Sequence, residues 1–319
     1  MAVKIKAMPA RAILVTGSLN MDFVVQVERL PAPGETARGS NFQTIPGGKG
    51  ANQACAAARL ARLNPVSMIG RVGFDAFADH LRASLAAAGA DVSRIHGCRR
   101  APTGVALIWV DRAGQNSIVI APGANDELAP ADLETERDCF VSAACALFQL
   151  ETPLATVAAG LRLARSGGAL SILDPAPARP LPADLLALVD LLTPNESEAC
   201  LLAGREPRRI SLEEAPALAG ELRARGPRAV VLKLGDQGCF YSGPEGAWHA
   251  PAFRVEAVDS TAAGDTFNGA LAVALAEGKT VPEALRFANA AAALSVTRLG
   301  AQASIPSREE TEQFLAAQS

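Results

Sequence analysis

The chain is predicted to fold as an α/β protein: a doubly wound, mostly parallel sheet with helices on both faces, plus a small β-sheet lid. Three observations predict this. From residue 66 onward, short apolar runs of strand length alternate with stretches of helical periodicity, the pattern of repeated strand-helix-strand units. The first run, Ala12-Ile13-Leu14-Val15-Thr16, is continuously apolar up to its last residue, as a parallel strand covered on both faces should be. Two pairs of β-prone segments fall outside that rhythm, and hairpins of this kind do not belong inside a sheet of parallel crossovers.

With 319 residues, 49% apolar and 20% charged, the chain can bury a large core, and residues 1–319 are expected to form a single domain. Aromatic residues are scarce and alanine abundant, which suits helices packed on a sheet better than a sandwich built on aromatic pairs. A net charge of -3 leaves no basic footprint for nucleic acid or an anionic membrane. Met1 to Arg11 lacks an apolar run of signal-peptide length, and no later window is long and apolar enough to span a bilayer, so a cytoplasmic protein is expected. Cys55, Cys98, Cys139, Cys145, Cys200 and Cys239 form no C-x-x-C pair, and His80, His96 and His249 are far apart. Reduced, mostly buried cysteines are expected rather than a zinc site or a thiol catalyst.

After the first strand come Asn20 and Asp22, where open α/β sheets place ligands. Asn with Asp supplies the donors and acceptors that sugar hydroxyls need, although the same pair is also a turn signal. Residues 23–29 and 36–45 flank Pro31, Pro33 and Gly34 and read as one hairpin. Gly104 to Val110 and Gln115 to Ile120, joined by Asp111-Arg112-Ala113-Gly114, read as another. These four strands, within about 22–46 and 102–121, make up the predicted lid.

Between the hairpins, Pro46-Gly47-Gly48-Lys49-Gly50-Ala51-Asn52-Gln53 opens a helix with Ala54, Cys55, Ala58 and Leu60 or Ala61 facing inward. Its glycines permit close backbone approach to a ligand, while Asn52, Lys49 and the free N–H groups suit hydroxyls. A phosphate-binding P-loop is excluded, because Gln43 and Gly50 stand where that motif needs Gly and a hydroxyl residue.

The remaining units are strand 66–69, helix 75–88, a helix within 130–143, strand 145–150, helix 153–166, strands 169–173 and 189–193, helices 195–203 and 211–225, and strand 229–234. No G-x-G-x-x-G follows the first strand, which argues against a dinucleotide enzyme. Glu151, Asp174, and Asn195 with Glu196 and Glu198 fall at strand ends; singly each reads as a cap, and together they trace one rim. Lys233-Leu234-Gly235-Asp236-Gln237-Gly238 reads as a turn able to seat a nucleotide, or as a plain turn into Cys239-Phe240-Tyr241.

The chemistry concentrates in Asp259-Ser260-Thr261-Ala262-Ala263-Gly264-Asp265-Thr266-Phe267-Asn268-Gly269-Ala270. A helix is expected from about Gly264, with Phe267, Ala270, Leu271, Ala274 and Leu275 on one stripe and Gly278 as its stop. Ala262, Ala263 and Gly264 leave the first N–H groups of that helix uncovered, a receptor for an anion such as phosphate. Asp265 beside such an anion is repelled by it, unless it takes the proton of a hydroxyl attacking the phosphorus. An ordinary acidic residue in the first helical turn is the other reading.

The chain resembles the ribokinase-like members of the PfkB carbohydrate kinase family nearly end to end. The resemblance rests on Gly17-Ser18-Leu19-Asn20-Met21-Asp22, Gly47 to Gln53, Leu150-Glu151-Thr152-Pro153, Pro175-Ala176-Pro177-Ala178, Thr193-Pro194-Asn195-Glu196, the 259–270 stretch and Thr297-Arg298-Leu299-Gly300-Ala301-Gln302. It implies ATP-dependent phosphorylation of the 5-hydroxyl of D-ribose, giving D-ribose 5-phosphate and ADP. By the same resemblance Asp265 is the catalytic base, and Ala262, Ala263 and Gly264 form the anion hole. Asn20, Met21, Asp22, Gly48, Lys49, Gly50, Ala51, Asn52 and Glu151 match the sugar-contacting set. Asn195, residues Lys233, Leu234, Gly235, Asp236, Gln237 and Gly238, with Gly264, Asp265 and Asn289, match the ATP site. Glu198 completes an N-x-x-E motif linked to Mg²⁺. A potassium ion as activator is implied at Asp259, Thr261, Ser295, Arg298, Gly300 and Ser304, where oxygen donors would order the loop before the helix.

Two positions depart from the family pattern. Lys233 stands where Thr is commoner, substituting a point charge for a hydroxyl, and Thr261 occupies a place shared with Ile. The alternatives are a sibling sugar or nucleoside kinase, for instance one acting on deoxyribose, and a non-catalytic sugar-binding regulator, against which an intact Asp265 argues. Because two-stranded ribbons are marginal in water and leave open edges, the lid is expected to pair with a second copy in a homodimer.

Overall fold

The computed structural model describes residues 11–112 and 116–318. Ala113, Gly114 and Gln115 of the second expected hairpin, and residues 1–10 of the segment read against a signal peptide, lie outside the described residues. Thirteen strands occur among the described residues: β1 Ala12–Thr16, β2 Asn20–Val27, β3 Gly39–Gly47, β4 Val66–Val72, β5 Ile95–Gly97, β6 Gly104–Val110, β7 Asn116–Ala121, β8 Ala143–Phe148, β9 Leu170–Leu173, β10 Leu191–Leu192, β11 Ala229–Lys233, β12 Cys239–Gly243 and β13 Gly246–Ala250.

Nine of them form one sheet in the order β13-β12-β11-β10-β9-β8-β1-β4-β5. From β11 to β5 the neighbours are parallel, and β12 and β13 are added antiparallel at the far edge. The run at 12–16 is apolar on consecutive residues because both faces are covered: Ile13 and Val15 enter one core and Leu14 enters the other. The first core is closed by helices Lys49–Leu60, Ala76–Ala87, Ala263–Ala276 and Val281–Ser295, the second by Leu154–Gly167, Glu196–Leu202 and Ala215–Ala224. The cysteines are all free, and each except the half-buried Cys139 is buried.

Chain order reverses between β1 and β8: from β1 the sheet grows through β4 on one side, and through β8, β9 and β10 on the other. Such a switch point opens a crevice at the carboxyl ends of the strands. The hydroxyl of Ser18, just past β1, donates to Glu151 Oε2, just past β8, at 2.5 Å and bridges that crevice.

The four remaining strands form a second sheet, β3-β2-β6-β7. Both expected hairpins are present as β2 with β3 and β6 with β7, and they are joined by a parallel pairing of β2 with β6 that local pattern does not encode. Several expectations shift. Asn20 and Asp22 are the opening residues of β2 and not a turn after β1. The helix expected within 130–143 is two short ones, Pro130–Thr135 and Arg137–Ser142, broken at Glu136. The strand expected at 145–150 runs Ala143–Phe148, and that at 189–193 keeps only Leu191–Leu192. The helix expected over 211–225 begins at Ala215.

Two helices set the floor of the crevice, Lys49–Leu60 and Ala263–Ala276. They touch where Gly269 lies against the other helix: a Cβ there would come 2.6 Å from Ala56 Cβ and 2.8 Å from the Gln53 carbonyl oxygen. Gly269→Val is therefore expected to destabilise the fold by about 1–3 kcal/mol or more, through overpacking that meets backbone. Urea unfolding measures it, and an unchanged midpoint would show that the helices do not approach so closely.

Candidate active site

A cleft of about 440 Å³ opens above the carboxyl ends of the central strands. It is lined by Lys49, Asp174, Glu198, Lys233 and the 262–265 loop, with Asn195 and Gly235 at its edge. Ala262 precedes the helix Ala263–Ala276 in the left-handed region, at φ 58°. That conformation is unfavourable for a residue with a Cβ, and it turns the chain into the helix so that Ala263 and Gly264 form its first turn at the cleft wall.

Asp265 is buried, and each of its oxygens has one amide donor. Asn52 Nδ2 donates to Oδ2 at 3.0 Å and Gln53 Nε2 to Oδ1 at 3.1 Å. Gln53 Nε2 also donates to Asp174 Oδ2 at 3.0 Å, while Lys233 Nζ donates to Asp174 Oδ1 at 2.9 Å. Lys233 thus lies in the cleft wall, and a Cβ at Gly264 would be 3.4 Å from its ammonium.

The sugar-side residues gather on the neighbouring wall. Glu151 Oε2 accepts from the Lys49 backbone N–H at 3.1 Å as well as from Ser18. Asn20 Oδ1 accepts from Asn125 Nδ2 at 2.8 Å, and Asn125 also grips the backbone of Leu19 at both its N–H and its carbonyl. Gly47 lies flat against the Asp22 carboxylate, where a Cβ would come within 2.1 Å of Oδ2. Gly48, at φ 88°, caps the helix Lys49–Leu60 in a conformation that favours glycine. Met21, Gly50 and Ala51 are buried, and the N–H groups of Gly50 and Ala51 donate to the hydroxyl and the carbonyl of Ser18 at 3.3 and 2.9 Å.

Burial dominates the electrostatics. It pushes Asp265 up to about 6, opposed by Lys49 and reinforced by Asp174. It pushes Asp22 up to about 7, with repulsion from Glu151 and Asp265 adding and Lys49 opposing. Glu198 is raised by burial, against the pull of Lys233. For Lys49 and Lys233 burial disfavours the charge, yet the surrounding carboxylates outweigh it and hold both above the ordinary lysine range. Two ammonium groups and several carboxylates share one small polar site, a composition typical of functional centres.

Asn195 caps the helix Glu196–Leu202 by accepting from the Glu198 N–H at 2.8 Å, and Glu198 returns the bond by accepting from the Asn195 N–H at 2.7 Å. Beyond β11 the turn is a short 3₁₀ segment, Gly235–Gln237. Leu234 is buried, Gln237 Nε2 donates to the Ile210 carbonyl, and Asp236 pairs with Arg209 at the surface, so this turn meets the cleft through Lys233 and Gly235. Gly238 backs onto Ala250 and Pro251, whose carbonyls accept from Asn289 Nδ2.

Of the residues implied for a monovalent cation, Asp259 binds the N–H groups of Thr261 and Gly300 at 2.9 Å each and so ties 259–261 to 300. Arg298 pairs with Glu310, and the hydroxyls of Ser295 and Ser304 donate within their own turns. Asp174 was legible only as a rim residue, while Gln53, Gln149 and Asn125 were not read as site residues. The sole available signal was the place of Gln53 beside Asn52 near the start of a helix.

The pfkB family carbohydrate kinase model matches residues 10–308. The chain belongs to this family. This PfkB member is 43% identical over 305 residues to the ribokinase of Bacillus subtilis, covering 96% of this chain and 99% of that one. It is 42% identical over 305 residues to the ribokinase of Haemophilus influenzae, covering 96% and 98%. The structure of Arabidopsis thaliana ribokinase complexed with ribose and ATP superposes with a TM-score of 0.89, at 34% identity over 96% of this chain and 99% of that chain. This PfkB chain is thus a sugar kinase that uses ATP, of the ribokinase branch.

The raised Asp22 gives a pH-dependent stability. A carboxylate whose value climbs from 3.8 to about 7 on folding stabilises the fold fully below pH 3.8, and that contribution is lost as pH rises toward 7. Asp22→Asn lacks this loss, so its stability relative to the parent should grow between pH 4 and about 7 and then level off. Thermal unfolding of the ligand-free protein across that range measures it; a flat difference would place Asp22 in water.

Proposed function

We propose that the protein transfers the γ-phosphoryl group of ATP to the 5-hydroxyl of D-ribose. The observation that carries this reading is Asp265: a buried carboxylate on the first turn of a helix, its oxygens oriented by Asn52 and Gln53, at the wall of a cleft that Asp174, Lys233 and Glu198 also line. Asp265 takes the proton as the sugar oxygen attacks phosphorus, and an acid held near 6 is largely ionised at neutral pH, ready to do so. The Gly264 N–H and the helix dipole receive the migrating phosphoryl group, while the Ala263 N–H donates to the Ser260 carbonyl at 3.2 Å. Asn20, Asp22, Lys49, Asn52 and Glu151 are proposed to hold the sugar, and Asn195, Lys233, Gly235 and Asn289 to surround the nucleotide.

Mg²⁺ bound with ATP would spread the phosphate charge. The carboxylates of Glu198 and Asp174 on the cleft fit it, since this ion prefers oxygen donors and keeps part of its water. For K⁺, the Asp259 carboxylate closes the 259–261 loop on Gly300 and so fixes the backbone whose carbonyl oxygens would hold a weakly hydrated cation. The small sheet, about 22–46 and 102–121, is proposed as a lid on a single domain. It exposes Phe42, Leu107, Ile118, Val119 and Ile120, which supports a homodimer formed through it. No helix among the described residues is long and apolar enough to cross a membrane, and a cytoplasmic location is part of the same reading.

Asp265→Asn should lower kcat by about 10²-fold or more, with a coupled ADP assay as the measure; turnover within about tenfold of the parent would remove Asp265 as the base. In the parent, kcat should fall as pH drops through about 6, where Asp265 takes up its proton. In a panel including D-ribose, deoxyribose and nucleosides, D-ribose should show the highest kcat/KM and K⁺ should raise it. Light scattering on the same preparation should give a dimer, and a monomer at assay concentration would refute the shared-lid arrangement.

A further inference from the structure

Gln53 sits at the centre of a buried chain of contacts that the proposed reaction does not itself require. Its Nε2 donates to two carboxylates at once, Asp174 Oδ2 at 3.0 Å and Asp265 Oδ1 at 3.1 Å. Its Oε1 accepts from Gln149 Nε2 at 2.7 Å. The amide has only one workable orientation, because a flip would set its oxygen against two carboxylate oxygens and its NH₂ against another NH₂. All four side chains are buried, Gln53 completely. The far oxygen of Asp174 is held by Lys233 at 2.9 Å, so an unbroken line runs Lys233, Asp174, Gln53, Asp265, Asn52 from the nucleotide wall to the sugar wall.

We propose that Gln53 is a positioning residue: its amide, locked by Gln149, sets the plane of the Asp265 carboxylate and joins it to the Asp174–Lys233 pair. The argument is geometric. Asn52 and Gln53 are consecutive residues, the fourth and fifth of one helix, and each fixes a different oxygen of Asp265, leaving the remaining lone pairs for a substrate hydroxyl. The Gln53 backbone cannot drift, because its carbonyl borders the close contact at Gly269 in the helix that carries Asp265. The same N–H groups let two like charges, Asp174 and Asp265, lie side by side out of water, a juxtaposition that costs heavily without a shared donor. The other charged groups that face Asp265 are Lys49 from the same helix as Gln53, Asp22 from β2 and Lys233 from β11.

The inference rests on Asp265 as base, so three variants are measured together with Asp265→Asn. Gln53→Met keeps the volume and removes the donor. Its kcat should fall about tenfold to a hundredfold through misorientation of the base. Calorimetric affinity for D-ribose should stay within about threefold, as expected when only transition-state interactions are lost. The acid limb of its pH profile should move to higher pH, because a hydrogen bond that favours the ionised carboxyl is gone. Asp174→Asn should also lower kcat but move the limb to lower pH, because a neighbouring negative charge is removed. A general loosening of the site would not give opposite directions. Gln149→Met, which touches only Gln53 among these side chains, should reproduce the Gln53→Met shift in weaker form and carries the test if Gln53→Met fails to fold. An inactive Asp265→Asn beside Gln53→Met or Gln149→Met with parental kcat and limb would overturn the bridge alone; an active Asp265→Asn would overturn the base and the bridge together.

Discussion

The arrangement of this protein turns on how a negative charge is kept out of water at the mouth of a helix. Asp265 is buried beside Asp174, with Lys49 and Lys233 as counter-charges and two amide side chains as donors. An isolated ionised carboxylate cannot be buried without such partners. The partners come from the helix Lys49–Leu60, the segment after β9, and β11, so the fold must bring the carboxyl ends of separate strands to one place. The reversal of chain order between β1 and β8 does this, and Ser18 and Glu151 are joined across it.

The two cores follow from the same sheet. Alternate residues of β1, β8 and β11 go to opposite faces, and the helices that cover one face include both that frame the cleft. Alanine-rich helices let these two approach until Gly269 meets backbone. Asp265 and the amide that holds it therefore belong to one packed unit, and their relative position does not depend on a loop.

Much of this was legible in the residues. The continuous apolar run at 12–16, the two hairpins, the small residues at 262–264 and the polar strand ends each carried a local physical signal, and the structure has a corresponding element at each. What local pattern does not hold is pairing between distant segments. The parallel union of β2 with β6 joins residues far apart in sequence, and the ammonium of Lys233 meets Asp174 across 59 positions. Gln53 looked like one more polar residue in a helical turn, since an amide has no sequence signature for the two carboxylates it will bridge. The break at Glu136 and the short β10 were missed because propensity is a weak prior at element ends and tertiary contacts decide there.

The twist of Ala262 into positive φ has a bearing on how the chain tolerates change. A methyl-bearing residue in that conformation holds tension that only its surroundings maintain, and those surroundings include the loop that Asp259 fastens to Gly300. Loosening that remote knot would let the peptide relax toward ordinary dihedrals and swing its amides away from the void they border. The stretch around residue 300 thus bears on the geometry of the cleft wall through the one carboxylate, that of Asp259, that fastens it to residues 259–261.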